Sequence, residues 1–236
     1  MSDNNDKNKK KNVILFALLL SVICSLIITA SAVGLKGLQN ANMALDKKIK
    51  ILMAADLIKD KKPSKKDINA LYDAHIQEVT VDSKGNVIQT YVPDSLNLYF
   101  YQDNGVIKGY VLPINTRGLW GKIQGYLAFE NDGQTVSGFS VFSHSETPGL
   151  GGEIESAWFR KNFKGKKILN SRNKFVSVGI AKGKAENLPK DLQNHYVDGI
   201  SGATLTGKYL SEGIKETLMK YDSVSISFRQ KDLKPQ

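Results

Sequence analysis

Cysteine is almost missing from this sequence: 236 residues contain 1, Cys24, and it stands inside an uncharged apolar run. The rest of the chain therefore forms no disulfide, ligates no metal through thiolate and offers no cysteine nucleophile. Histidine is nearly as scarce. His75, His144 and His195 lie far apart with no regular ligand spacing, which argues against a histidine-built metal centre. His144 and Glu146 share a strand end, where a structural or ligand-lining histidine is the simpler role. No Gly-x-x-x-x-Gly-Lys-Ser/Thr loop, no Gly-x-Gly-x-x-Gly turn and no Gly-x-Ser-x-Gly elbow occurs, so the usual nucleotide cradles and an elbow-type hydrolase are excluded. Acidic residues are outnumbered, 23 against 33 basic, for a net charge of +10. The lysines are nevertheless scattered among acids, without a basic stripe interleaved with aromatics, which excludes nucleic acid as a partner. No internal repeat is present.

Lys7, Lys9, Lys10 and Lys11 crowd the first residues, directly ahead of the uncharged residues 13–35. At about 1.5 Å per residue, that run spans a hydrocarbon core of roughly 30 Å. It reads as a transmembrane helix in a lipid bilayer. The lysines before it place residues 1–12 as a basic tail in the cytoplasm and the remainder outside. Ala30-Ser31-Ala32 fits a signal-cleavage pattern, but a signal core is typically about 7–15 residues, shorter than this run. Helical periodicity also continues through Leu38, Leu45, Ile49, Leu52 and Met53. The expected organisation is a tail (1–12), a membrane span (13–35), a helical connector (36–63) and an extracytoplasmic domain (64–236).

Beyond the connector, where Lys59-Asp-Lys-Lys-Pro63 is expected to stop one helix and Ser64 to cap the next, the pattern turns to β. Residues 76–81 precede a turn at Ser83-Lys-Gly85-Asn86. Two hairpins follow, 98–101 with 106–112 about Asp103-Asn104-Gly105, and 123–130 with 135–143 about Asn131-Asp132-Gly133. Asn-Gly and Asp-Gly are the strongest short hairpin signals. A helix near 153–163, a strand at 175–180 and a helix with Leu205, Tyr209, Leu210, Ile214 and Leu218 on one side complete the pattern. The fold class is α+β, an antiparallel sheet flanked by helices, behind one N-terminal transmembrane helix. Trp120 and Trp158, next to Leu119 and Phe159, read as core aromatics rather than ring-stacking platforms.

Two segments carry candidate chemistry. Asp198-Gly-Ile-Ser201-Gly202-Ala203-Thr204-Leu-Thr206 opens the helix that follows it. Small and hydroxyl residues leave the N–H groups of a helix start open, and these groups with the helix dipole favour a phosphate. Capping is the commoner role for such a hydroxyl, and Ser201, Thr204 or Thr206 would each serve. The second segment is His144-Ser-Glu146-Thr147-Pro148-Gly149-Leu150-Gly151-Gly152, a strand end passing into a turn stiffened by Pro148 whose glycines allow close backbone approach.

Taken together, Asp198-Gly-x-Ser-Gly-Ala-Thr204 and Glu146-Thr-Pro-Gly-Leu-Gly resemble the two signatures of the FMN-binding domain family. The resemblance implies that FMN is joined through its phosphate to the Thr204 hydroxyl by a flavin transferase. Asp198, Ser201, Gly202 and Ala203 then belong to the attachment motif, while Glu146, Thr147, Gly149 and Leu150 lie near the flavin. The likeness extends over nearly the whole chain, through Arg117-Gly-Leu-Trp120 and Gly165-Lys-Lys, to flavin-bearing subunits of membrane complexes that oxidise NADH, reduce a quinone and export sodium. Other subunits of such a complex are the implied partners. Flavinylated subunits of the related ferredoxin-coupled complexes carry the same signatures, and an exported binding module without covalent flavin is the reading from another class. Ser145 stands where glycine is common.

Overall fold

A computed structural model describes residues 2–58, 63–89 and 92–231. The chain divides into two compact units at Ala44/Leu45. The first is formed by most of helix α1 (Ser2–Ala54), and its residues 10–44 are exposed throughout. This helix is long and apolar enough to cross a membrane, with a mean hydropathy of 2.9 over its most apolar window.

The second unit starts at Leu45, so the last turns of α1 belong to it. Ile51, Leu52, Ala54 and Ala55 are buried there, which divides the expected connector. The helix ends at Ala54, with Asp56 in a left-handed conformation at φ 57°; residues 59–62, expected to stop it, lie outside the described residues. Helix α2 (Lys65–His75) starts as the sequence suggests. Ser64 accepts from the Asp67 N–H while the Asp67 carboxyl accepts from the Ser64 N–H.

Six strands then form one antiparallel sheet: β1 (Ile76–Val81), β2 (Val87–Ile88), β3 (Leu96–Asp103), β4 (Val106–Arg117), β5 (Lys122–Glu130) and β6 (Val136–Ser143). Their order is β2-β1-β3-β4-β5-β6. Asn104 and Gly105, at φ 49° and 75°, make the β3–β4 turn that the Asn-Gly pair demands. Because helices cover both faces, the strands are apolar on both sides and alternation sorts side chains between two cores. Val111, Tyr126 and Ala128 meet α1 and α2 residues on one face. Tyr110, Leu112, Leu127 and Phe129 point into the larger core on the other.

After β6 come a 3₁₀ turn (Gly151–Glu155), α3 (Ala157–Lys161), β7 (Gly179–Ile180), a second 3₁₀ turn (Ala185–Asn187), α4 (Lys190–Gln193), β8 (Tyr196–Val197), α5 (Thr204–Lys220) and α6 (Asp222–Gln230). Three details depart from the sequence pattern. The helix expected near 153–163 is split, because Ser156 is extended and caps α3 through the Phe159 N–H. The strand expected at 175–180 is interrupted: Phe175 makes an isolated antiparallel bridge with Leu169, Ser177 at φ 68° breaks the extended run, and Gly179 and Ile180 pair in parallel with β8. Helix α5 buries Thr206, Gly207, Leu210, Gly213, Ile214 and Leu218, so its inner face is rotated from the one anticipated, leaving Leu205 49% exposed. Two glycines allow this face to pack inward: a Cβ on Gly213 would overlap Thr116, and one on Gly207 would stand 3.1 Å from Ile180.

Candidate functional site

The segment from β8 into α5 is held by its own backbone. Asp198 Oδ1 accepts from the Ala185 N–H at 2.7 Å, and the Gly199 N–H donates to the Gly183 carbonyl at 2.7 Å. A Cβ on Gly199 would collide with the Ala181 carbonyl, so this glycine is required for the loops to meet. Gly202 takes φ 73°, a left-handed conformation that suits glycine. The Ala203 N–H donates to Ile200, and Thr204 opens α5 at its first helical position. Ala203 occupies the cap position, and no side chain caps the helix. The first N–H groups of a helix have no partner within it, so an uncapped start presents them outward.

Thr204 and Thr206 have opposite fates. Thr204 is exposed, whereas Thr206 is 1% exposed and donates its hydroxyl hydrogen to Glu146 Oε2. Glu146 is itself 4% exposed, and its Oε1 accepts from the Leu119 N–H at 2.9 Å and the Trp120 N–H at 3.1 Å. A buried carboxyl needs such partners. His144 Nδ1 accepts the Glu146 N–H at 3.1 Å, which makes it a structural residue. Thr147 contributes its carbonyl, which accepts from the Leu150 and Gly152 N–H groups; Gly149 turns the loop at φ 73°. Leu150, 43% exposed, lies against Gly202, where a Cβ would stand 2.7 Å from Leu150 Cδ2. The two sequence motifs thus touch at Leu150–Gly202, Gly151–Thr206 and Glu146–Thr206.

Beside α5, Thr204 lines a cavity of about 290 Å³ together with Ile180, Ala181, Lys182, Tyr196 and Lys208. Lys182 and Lys208 line it together with Glu212, whose carboxylate is 3.9 Å from the Lys208 amine, so Lys182 is the lysine there that Glu212 does not pair. A larger hollow of about 870 Å³, around Asp132 and Arg229, shares no residue with either motif. Burial pushes the Lys166 amine below its ordinary value, an effect that the nearby Asp198 carboxylate partly offsets.

Of the anticipated residues, Glu146, Leu150, Gly202, Ala203 and Thr204 come together, with Ser201 exposed at the turn before α5. Asp198 is spent on the Ala185 N–H, and Thr147 and Gly149 act through their backbone. Sequence reasoning missed the role of Thr206 and of the Leu119–Trp120 amides; Gly118, whose Cβ would overlap Glu146 Oε1, was the available signal. Trp120 and Trp158, taken for core, are 69% and 45% exposed: Trp120 stands on the bend between β4 and β5, and Trp158 lies on the outer side of α3, whose buried residue is Phe159. Among the described residues no group of three potential metal ligands occurs.

An exposed threonine on an uncapped helix start, flanked by a glycine-rich loop and a small cavity, defines a domain suited to carrying a phosphorylated ligand. Residues 118–219 match the FMN-binding domain family, a span that begins at the Leu119–Trp120 turn and ends near the close of α5. Over 92% of its length the chain is 32% identical to NqrC of Vibrio alginolyticus, a component of the Na(+)-translocating NADH-quinone reductase, and it covers 91% of that protein. NqrC of Vibrio vulnificus is 34% identical, over 91% of this chain and 90% of that one. A crystal structure of NqrC from Parabacteroides distasonis superposes with a TM-score of 0.69 at 29% identity, covering 81% of this chain and 96% of that one. The chain belongs to the NqrC family of the Na(+)-translocating NADH-quinone reductase.

Proposed function

We propose that this protein is the FMN-carrying electron-transfer subunit of a membrane complex that oxidises NADH, reduces a quinone and exports sodium, with its flavin on Thr204. The observation that carries the attachment is the division of labour between two neighbouring hydroxyls. Thr204 is free at an uncapped helix start, and Thr206 is committed to Glu146. The residues fit FMN: open N–H groups and the helix dipole suit its phosphate, the cavity beside Thr204 borders the same turn, and Lys182 at its edge offsets negative charge.

Attachment requires a flavin transferase and FAD. The Thr204 oxygen bonds to the flavin-side phosphorus, the anhydride bond breaks, AMP departs and the hydroxyl proton is released. Once held, FMN supplies the redox couple, accepting electrons and passing them on. The chain's own residues bind and orient it: Gly199 and Gly202 allow the tight path into α5, Asp198 anchors that path, and Leu150 offers an apolar edge. A tether keeps the cofactor at high effective concentration irrespective of free FMN, which suits a domain outside the cytoplasm.

The exposed apolar surface of residues 13–35 supports a single membrane span in the bacterial inner membrane, with the basic tail (1–12) inside and the domain carried by the connector outside. Family membership favours the quinone-reducing complex over its ferredoxin-coupled relatives. Ultraviolet fluorescence of the denatured chain on a gel, after expression with a flavin transferase, tests the reading. The native chain is expected to fluoresce and Thr204→Ala to be dark; mass spectrometry of the 198–208 peptide locates the ester. A dark native chain, or an ester elsewhere, overturns it.

A further inference from the structure

Both oxygens of Glu146 are engaged within the chain. Oε1 takes the Leu119 and Trp120 N–H groups and Oε2 takes Thr206. The surroundings are shaped to this carboxyl: a Cβ on Gly118 would overlap Oε1, and one on Gly151 would stand 2.8 Å from Oε2 and 2.6 Å from Thr206 Oγ1. Successive helical residues are about 100° apart, so Thr204 and Thr206 project roughly 200° apart around α5. Holding Thr206 inward holds Thr204 outward.

We infer that Glu146 is a positioning residue for flavin attachment: by latching Thr206 to the Leu119–Trp120 turn, it sets the rotation of the first turn of α5 and presents the Thr204 hydroxyl beside the open N–H groups. This inference rests on attachment at Thr204.

The full-length chain, a flavin transferase and FAD provide the test, with covalent flavin uptake followed by in-gel fluorescence and thermal melting followed in parallel. Thr206→Val removes the donor at nearly constant volume. It is expected to slow uptake about tenfold on protein that remains folded, since small misplacements of reacting groups carry costs of that order, while Thr206→Ser returns the rate to within about twofold. The ester stays on Thr204 in each. Glu146→Gln, which keeps the shape but not both acceptor oxygens, is expected to fall between. Should Glu146→Gln fail to fold, the Thr206 pair still decides. Native-rate uptake by folded Thr206→Val overturns the latch while leaving attachment intact, and so does a slow Thr206→Val that Thr206→Ser fails to rescue. A native chain that takes up no flavin at Thr204 overturns both readings.

Discussion

Thr206 and Glu146, 60 residues apart in sequence, are joined side chain to side chain in the buried junction between the glycine-rich loop and α5. Everything that distinguishes this end of the domain converges on that bond. The Leu119–Trp120 turn hangs from the same carboxyl, Gly151 leaves room for it, and Thr204 faces outward because of it.

Gly151→Ala places a methyl against both partners of this bond. Overpacking of this kind typically costs about 1–3 kcal/mol. Thermal melting of the variant is expected to fall by several degrees, and a melting temperature equal to the native one would show that the loop moves aside freely.

Asp198 leads the attachment motif, yet its carboxyl is bonded to the Ala185 N–H. Asp198→Ala, by stranding that donor, is expected to cost about 1–3 kcal/mol in chemical denaturation. Asp198→Asn keeps an acceptor oxygen and is expected to retain most of the stability. Equal losses in the two variants would mean that the charge, not the acceptor, matters.

Trp120 and Phe159 invite a direct comparison, since both sit in apolar sequence. Trp120 is 69% exposed and Phe159 is fully buried, with its ring edge-on to Phe139 and Phe163. Trp120→Ala is expected to change stability by less than about 0.5 kcal/mol. Phe159→Ala is expected to cost about 3–5 kcal/mol. Equilibrium unfolding in urea reads both, and a large loss for Trp120→Ala would contradict the exposure of this side chain.

Alkali tests the cores. Burial pushes the phenols of Tyr101 and Tyr221 from 10.0 up to about 12, and both are 6% exposed. The unfolded phenol ionises first, so the stability linked to each is fully present below pH 10 and is lost as pH rises from about 10 to 12, by up to roughly 3 kcal/mol apiece. Phenolate absorbance is expected to lag behind that of free tyrosine and then to rise together with unfolding. Independent titration near pH 10 without unfolding would contradict this burial.

Local signals were legible wherever neighbours in sequence decide the outcome. An uncharged run long enough for a bilayer, the Ser64–Asp67 cap and the Asn104-Gly105 turn each require only adjacent residues, and each is where the pattern placed it. The β3–β4 and β5–β6 hairpins stand where their turns placed them, whereas the pairing of β1 with β3 joins strands that no short turn connects. Residues 175–178 failed as a strand because Ser177 adopts a positive φ that no apolar alternation signals. The connector divided at Ala44/Leu45 because Ile51, Leu52 and Ala54 found a sheet face to cover, and helical periodicity alone does not say what lies opposite.

The candidate site divides in the same way. Both motifs, the small residues at the start of α5 and the family they resemble are properties of the sequence, because glycine is the residue that permits a positive φ or a close backbone approach. Which hydroxyl is free was decided in three dimensions. Thr204 and Thr206 are chemically equivalent in the chain, and only the packing of Gly213 on Thr116, of Gly207 on Ile180, and the pull of Glu146 on Thr206 turn one inward and the other out.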